Sequence, residues 1–282
     1  MKTISSEKFK LKTAKIFMYL ILIGFSIIYT IPLFWLISTS FKTPAQVFAV
    51  STKWLPSPVA WGNYLEMISV SPFFQYVRNT LIIVILNLGG ALLINPLIAY
   101  SFARLRWPGR DIVFVITLGS MMIPFASMMV PLYVLFRHLG WLNTFKPLIV
   151  PVWLGQAYLI FLLRQFFLTI PLELSDAARI DGASQLGIYW RIIYPLAKPA
   201  LAVVAIFQVV YDWNDFLAPL IWLNSQDKYT LAIGLQLFSG SHATQWNLQM
   251  AYGVLMTIPM IGFFFFFAKY FIQGLTISGL KR

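Results

Sequence analysis

Six apolar runs constrain this chain more than any other feature of its sequence. A helix needs about 20 apolar residues to cross about 30 Å of hydrocarbon, and each run approaches or exceeds that length. The runs are Ile16–Ile37, Leu81–Ala103, Ile112–Phe136, Pro147–Leu163, Ala200–Leu223 and Met250–Ile272. They predict an all-α polytopic membrane protein with six transmembrane helices.

The composition excludes an ordinary soluble domain. Of the residues, 59% are hydrophobic and only 11% are charged, whereas a soluble domain carries about 25% charged residues. The net charge of +12 does not indicate a nucleic-acid partner, because basic residues gather at the inner ends of membrane spans. The partner that surrounds the chain is therefore predicted to be the lipid bilayer.

The first apolar run is too long for a secretory signal, whose apolar core has about 7–15 residues. We therefore expect an uncleaved span, with an external loop completing a segment at 16–71. Residues 1–15 contain five lysines and one acid, Glu7, and are predicted to be a basic cytoplasmic tail. With this topology fifteen of the 21 lysines and arginines lie on the cytoplasmic side, which places both termini in the cytoplasm. Residues 274–282 are then a cytoplasmic C-terminal tail.

The sequence contains no group of residues suited to catalysis or to metal binding. It contains no cysteine, which excludes disulfides and thiolate chemistry. Its two histidines, His138 and His242, lie far apart. No Gly-x-x-x-x-Gly-Lys-[Ser/Thr] phosphate loop is present. We predict no catalytic residue, no metal site and no cofactor bound by this chain.

A polar island, Ser175–Ala183, interrupts the apolar pattern between spans four and five. Pro171 is suited to a first helical turn with Thr169 as its cap, and Glu173 and Asp176 favour the positive end of that helix. The island lies on the cytoplasmic side in the predicted topology. An ordinary amphipathic helix at the membrane surface remains an alternative.

The island is predicted to continue into a second helix. Gly182 is a natural helix stop, Ser184–Tyr194 is the following helical run, and Pro195 ends it. The run's apolar residues at spacings near 3.6 are predicted to share one side: Leu186, Trp190 and Ile193. This gives a short helix–bend–helix on the membrane surface.

The island resembles the EAA signature of ABC importer permeases. The pattern is Asp-Ala-Ala-x-x-Asp-Gly-Ala, then eight residues, then Ile-x-Tyr-Pro. The resemblance implies a coupling loop at 171–199 that docks on a cytoplasmic ATPase, carried by Asp176, Ala177, Ala178, Asp181, Gly182, Ala183 and Pro195. Asp176 stands where Glu is usual and Tyr194 where Leu is usual, which preserves charge and bulk respectively.

The resemblance extends to a permease core at 72–273. The matching stretches are Asn79-Thr80, 99–104, Trp213-Asn214-Asp215-Phe216, Pro219-Leu220, Tyr229-Thr230-Leu231 and 274–281. They are similar to carbohydrate permeases of the maltose and glycerol-phosphate group, and the ending is similar to its six-span subunit.

This resemblance implies import of an oligosaccharide across a bacterial-type cytoplasmic (inner) membrane. It implies a second permease subunit, a dimer of ATPase subunits that use ATP and Mg, and an extracytoplasmic solute-binding protein. An importer of a non-sugar solute, such as glycerol phosphate, is an alternative within the family.

Span five carries carboxylates where charge is costly, which makes them candidates for a substrate path. Gln208, Asp212, Asp215 and Pro219 follow i, i+4, i+7, i+11 and share a helix face. Carboxylates suit sugar hydroxyls and aromatic rings suit apolar sugar faces. The candidate path residues are Asp212, Trp213, Asn214, Asp215 and Asn87 of span two.

Other roles for these polar residues stay open. Asp212 and Asp215 alternatively bond to a partner subunit, cap a break before Pro219, or carry protons in an ion-coupled secondary transporter. Asn95 and Gln156 are predicted to make only ordinary interhelical hydrogen bonds.

Overall fold

The computed structural model describes residues 2–239 and 245–279, with side chains described for 13–239 and 245–267. The described backbone is helical and contains no β-strand. The helices are α1 Lys2–Ser40, α2 Pro44–Val47, α3 Gly62–Val70, α4 Phe73–Arg104, α5 Arg110–Ser120, α6 Phe125–His138, α7 Lys146–Leu154, α8 Ala157–Thr169, α9 Glu173–Ile180, α10 Gln185–Ile188, α11 Tyr194–Leu196, α12 Lys198–Asn214, α13 Leu217–Trp222, α14 Leu231–Gln236 and α15 Trp246–Gly279. A π-helix, Tyr189–Ile193, joins α10 to α11, and a 3₁₀ turn spans Gln226–Lys228.

Within the described residues, four stretches are long and apolar enough to cross a membrane: Thr13–Ser40, Phe73–Arg104, Lys146–Thr169 and Trp246–Phe267. Two further candidates are pairs of helices bent at a short break, α5 with α6 and α10–α11 with α12. The number of spans is therefore four, or up to six if each bent pair is one span.

The third predicted span is not one straight helix. α5 and α6 meet at 100°, and with 11 and 14 residues they are only about 16 and 21 Å long. Pro124 lies at the start of α6 with an extended backbone, and proline cannot donate the hydrogen bond that would continue α5.

The fourth and fifth predicted runs are also broken. Gly155, with φ of 107°, separates α7 from α8, and Asp215 and Phe216 separate α12 from α13. A residue with positive φ cannot continue a right-handed helix. Both breaks lie where polar side chains interrupt apolar sequence, and they shape the site described below.

The chain divides into two compact units. Unit 1 contains residues 1–71 and 237–257, and unit 2 contains residues 72–236 and 258–282. In unit 1, Asn63 donates through Nδ2 to the carbonyl oxygens of Ser40 (2.8 Å) and Lys42 (2.9 Å). Its Oδ1 accepts from Asn247 at 3.0 Å. These bonds fix the end of α1 against the start of α15.

Unit 2 is built around α4, which packs against α7, α8 and α12. Small residues on α4 let the neighbouring helices approach closely. A Cβ built on Gly90 would lie 3.0 Å from the Trp153 ring of α7, and Ala91 and Ala99 are fully buried. Asn87 and Asn95 of the same helix therefore lie inside the helix packing.

Helices extend into both predicted tails. The helix α1 begins at Lys2, within the predicted tail 1–15, and α15 continues through Gly279, within the predicted tail 274–282. Residues 280–282 and residues 240–244, which include His242, lie outside the described residues. The domain boundaries stay predictions.

Candidate functional site

The polar island forms the predicted helix at α9, with acidic residues in its first turn. Asp176 accepts an ion-paired hydrogen bond from Arg179 Nη1 at 2.7 Å. Ser175 is buried, whereas Ile180 is 86% exposed. The predicted cap is wrong: Thr169 ends α8, and its hydroxyl donates to Phe166 O.

Gly182 stops α9 as predicted. Its φ is +80°, a conformation that glycine adopts without a Cβ penalty. Gly182 N–H donates to Arg179 O (3.1 Å), and Ala183 N–H donates to Ala178 O (2.9 Å). These two bonds form a Schellman motif. A Cβ on Gly182 would meet no atom within 4 Å, so the backbone requires glycine while the space beside it is open.

The second helix of the island differs from its prediction. Ser184 caps α10, since its hydroxyl accepts from Gly187 N–H at 3.1 Å. Leu186 and Trp190 are exposed and Ile193 is fully buried, so the predicted common face is wrong. The π-helix is the cause, because its wider turn shifts the following residues around the axis.

The island is held by the C-terminal end of α4. Tyr100 Oη donates to Gln185 Oε1 at 3.2 Å, and its ring lies 5.1 Å from that of Tyr189. Arg104 Nη2 donates to Phe167 O at 2.7 Å and also to Ile170 O. These contacts position both the entry to the island and its second helix.

The exposed residues of the island include most of those predicted to couple. Asp176, Ala177, Asp181, Gly182 and Pro195 are exposed, and Ala178 and Ala183 are half-buried. Leu172, Leu174 and Leu186 are exposed apolar neighbours. The island thus presents a mixed polar and apolar surface, with its least bulky residue at the bend.

A cavity of about 190 Å³ lies within unit 2. Its polar lining comprises Gln156, Tyr211, Asp212, Asp215 and Thr230. Its apolar wall comprises Ile83, Phe125, Leu132, Phe136, Pro147, Leu148, Pro151, Val152, Ala218, Pro219 and Trp222. The rings of Phe125 and Phe136 meet that of Trp222 edge-on, with centroids 6.0 and 5.1 Å apart.

Asp212 is buried and held by two amides. Its Oδ1 accepts from Asn87 Nδ2 at 3.0 Å, and its Oδ2 accepts from Gln208 Nε2 at 2.9 Å. Asn87 Nδ2 also donates to Leu148 O at 3.1 Å. Asn87 does not line the cavity but positions the carboxylate that does.

Asp215 lies at the break of the fifth run. Its Oδ1 accepts from Ala218 N–H at 3.3 Å, the contact of a carboxylate that caps the start of α13. This is the alternative role that the sequence left open, and Asp215 also lines the cavity. Trp213 is buried, and Asn214 is exposed with its amide bonded to Val210 O. Neither of these two lines the cavity.

A second cavity of about 600 Å³ shares Gln156 and Tyr211 with the first. Its lining is Ser120, Met121, Gln156, Ala157, Tyr158, Leu159, Phe207, Gln208 and Tyr211. The sequence predicted only ordinary interhelical hydrogen bonds for Gln156 and did not predict that this residue lines both cavities. Asn95 Oδ1 accepts from Gln156 N–H at 2.6 Å, so the interhelical role predicted for Asn95 is confirmed. The glycine just before Gln156 was the signal of a broken helix.

Among the described residues, no group of three or more His, Asp or Glu side chains could hold a metal ion. The carboxylates of the cavity are instead bonded to amides and to backbone N–H groups.

Two curated relatives match nearly the whole chain. The arabinooligosaccharides transport system permease protein AraQ of Halalkalibacterium halodurans is 34% identical, covering 96% of this chain and 99% of that one. The galactooligosaccharides transport system permease protein GanQ of Bacillus subtilis is 32% identical, covering 94% and 95%.

The fold is similar to that of a solved transporter. One chain of a bacterial ABC transporter involved in the import of the acidic polysaccharide alginate superposes with a TM-score of 0.78 at 25% identity. The match covers 92% of this chain and 97% of that one. The model of the binding-protein-dependent transport system inner membrane component family matches residues 95–277. The chain belongs to this family, which supplies the permease subunits of ABC importers.

Proposed function

We propose that the chain is the permease subunit of an ATP-driven importer that moves an oligosaccharide into the cell. The names of its relatives support the substrate class. The single observation that carries the proposal is the cavity that combines two carboxylates with aromatic walls, because sugars offer hydroxyls to the former and apolar ring faces to the latter. Asp212 and Asp215 are the proposed contacts, and Asn87 positions Asp212. Of the other predicted path residues, Trp213 is buried in the helix packing and Asn214 is exposed, and neither is a proposed contact.

The proposed topology has six crossings of a bacterial-type cytoplasmic membrane, with both termini in the cytoplasm. Each bent helix pair then counts as one crossing. The excess of basic residues in the N-terminal and even-numbered connecting segments supports this orientation. It puts the polar island on the cytoplasmic side and the 3₁₀ turn Gln226–Lys228 outside.

We propose that the coupling loop at 171–199, which contains the polar island, docks on a partner ATPase. The exposed bend at Gly182 and the exposed side chain of Ile180 support a protein contact there. In this proposal the ATPase dimer hydrolyses ATP with Mg. Movement of the island would transmit the conformational change of the ATPase dimer to the membrane helices through Tyr100 and Arg104. A second permease subunit and an extracytoplasmic binding protein complete the proposed assembly. Family membership disfavours the ion-coupled alternative.

The docking proposal is tested by two changes at one position. Gly182→Asn adds a short side chain that tolerates positive φ, whereas Gly182→Trp fills the open space. We expect normal membrane insertion of both and loss of uptake and of transport-linked ATPase activity in Gly182→Trp. Gly140→Trp is the matched control, because Gly140 has φ of +66° and open space at its Cβ but lies outside the island.

Equal uptake by Gly182→Trp and wild type would contradict docking at this bend. Equal loss in Gly140→Trp would assign the effect to backbone strain. Uptake assays with a panel of carbohydrates test the substrate class separately. If the transporter takes up glycerol phosphate but no saccharide, the substrate is the non-sugar alternative and not a carbohydrate.

A further inference from the structure

The smaller cavity of unit 2 has negative charge in its wall and no positive charge, and the larger cavity beside it has no charged lining residue. Of the charged side chains, only Asp212 and Asp215 line either cavity, and no lysine, arginine or histidine lies among the lining residues of the two. The remaining polar lining is neutral: Ser120, Gln156, Gln208, Tyr211 and Thr230.

Asp212 has the hydrogen bonds of a carboxylate. Each of its oxygens accepts an N–H from a neutral amide, so both oxygens act as hydrogen-bond acceptors. The orientation of Asn87 is fixed independently, since its Nδ2 also donates to the carbonyl oxygen of Leu148. Asp212 therefore meets a ligand as an acceptor.

Asp215 is an acceptor for a different reason. Its Oδ1 accepts the backbone N–H of Ala218 in the first turn of α13. Neither carboxylate has an ion-pair partner among the described side chains. Their charge is shared with neutral donors and is not cancelled.

Such a wall discriminates by charge. Hydroxyl groups of a neutral saccharide donate to carboxylates, and its apolar faces pack on aromatic rings such as Trp222. A substrate that carries a carboxylate or a phosphate places like charges together, which is strongly unfavourable where little water separates them.

The fold alone does not determine the charge of the substrate. The similar transporter chain belongs to an importer of an acidic polysaccharide, whereas two relatives are named for arabino- and galactooligosaccharides. A fold does not determine what its site binds, so the lining side chains must do so.

We infer that Asp212 and Asp215 make this permease selective for neutral saccharides and exclude anionic ones. The inference rests on the proposed carbohydrate import and specifies the charge class of its substrate. It assigns the two carboxylates a second role: they recognise hydroxyls and reject anions.

The test measures binding to the purified complex of permeases and ATPase in nanodiscs, without the binding protein, so that the binding protein's own selectivity does not enter. The probes are galactotriose and arabinotriose as neutral saccharides and trigalacturonate as the anionic counterpart of galactotriose. We expect wild type to bind a neutral trisaccharide at least about tenfold more tightly than trigalacturonate.

Asp215→Asn is the main variant, because asparagine caps a helix about as well as aspartate while removing the charge. It should reduce the neutral-to-anionic ratio by about tenfold, and Asp212→Asn should do likewise. Asp227→Asn makes the same chemical change at an aspartate that lines neither cavity and should leave the ratio unchanged.

Equal binding of trigalacturonate by wild type, or an unchanged ratio in both cavity variants, overturns the charge selectivity while leaving carbohydrate import intact. Absence of both binding and uptake for every saccharide, neutral or anionic, overturns the proposed function together with this inference.

Discussion

Asn87 donates from its Nδ2 to Oδ1 of Asp212 over 3.0 Å, joining residues 125 positions apart in the chain. The same Nδ2 reaches Leu148 O at 3.1 Å. One amide therefore ties α4 to α7 and α12 beside the smaller cavity. Asn87 Oδ1 has no hydrogen-bond partner among the described atoms, so the donor side of the amide makes the contacts.

Replacing Asn87 by Leu should destabilise unit 2 and weaken saccharide binding. The change leaves a carboxylate oxygen and a carbonyl without their donor, which costs about 1–3 kcal/mol. Thermal unfolding in detergent measures the loss. Asn214→Ala is the control for stability, because Asn214 is exposed and bonds only to Val210 O. Equal unfolding temperatures for Asn87→Leu and wild type would show that this contact does not stabilise the packing.

Asn143 connects two segments of the proposed external side. Its φ is 57°, its N–H donates to Trp222 O at 2.7 Å, and its carbonyl accepts from Lys228 Nζ at 2.6 Å. Its Oδ1 accepts from the N–H groups of Asn224 and Ser225, both at 3.1 Å. The side chain thus holds the segment after α13.

Asn143→Gly should lose about 1–3 kcal/mol of stability through the two hydrogen bonds to its side-chain oxygen, because each such bond contributes about 0.5–1.5 kcal/mol. Asn143→Ala should lose about 1–2 kcal/mol more, because alanine lacks both the side-chain bonds and an easy positive φ. Chemical unfolding of the two variants separates the contributions. If both variants unfold at the same denaturant concentration, the positive φ costs nothing measurable.

The sequence predicted those parts of the fold that hydropathy and local stop signals determine. The run Leu81–Ala103 lies inside α4, and Gly182 ends α9 through its positive φ. The 100° corner between α5 and α6 was not predicted, although Pro124 lies at it, because the run is apolar on both sides of the break. Hydropathy reports that a residue avoids water, and it does not report the direction of the helix.

The sequence predicted which residue types the candidate site contains, but it predicted their positions only in part. Asp212 and Asp215 line one cavity, but the predicted continuous helix face is wrong, because α12 ends at Asn214. Trp213 is buried in the helix packing. Gln156 was assigned an ordinary role because its polarity alone does not show which way it points. Its position depends on the break at Gly155 and on Asn95 of a different helix, which only tertiary structure reveals. The functional roles of these residues stay predictions.

Lys42 should make the stability of unit 1 depend on pH. Only 1% of its surface is exposed, and its Nζ lies 3.7 Å from the centroid of the Trp35 ring and 3.2 Å from Thr39 Oγ1. Burial lowers the pKa of Lys42 below its ordinary value. Between these two pKa values the unfolded chain holds a proton that the folded chain lacks, so stability rises with pH in that window.

Lys42→Met should abolish this rise. The slope of stability against pH should therefore differ most between wild type and variant at pH values between the lowered pKa of Lys42 and the ordinary pKa of lysine. Thermal unfolding at a series of alkaline pH values measures it. Lys53→Met is the control, because Lys53 is an exposed lysine of the same unit. This variant should keep the wild-type slope of stability against pH. A wild-type slope in Lys42→Met would mean that another group produces the pH dependence.

Gly155 allows the break that places Gln156 in both cavities. Its φ is 107° and its ψ is 133°, a region that residues with a Cβ occupy only at a cost of about 1–3 kcal/mol. A Cβ would also lie 2.9 Å from Ile98 Cδ1 and 3.2 Å from Ile160 Cδ1. We expect Gly155→Ala to lower the unfolding temperature and to weaken saccharide binding together.

Gly119→Ala is the matched control, because Gly119 lies in α5 with no atom within 4 Å of its Cβ position. Alanine favours a helix over glycine by about 0.5–1 kcal/mol, so this variant should unfold at the wild-type temperature or above it. If Gly155→Ala keeps wild-type stability, the chain must adopt a different backbone at the break. If it loses stability but keeps full binding, the break serves the packing of α7 and α8, and Gln156 reaches the cavities without depending on this glycine.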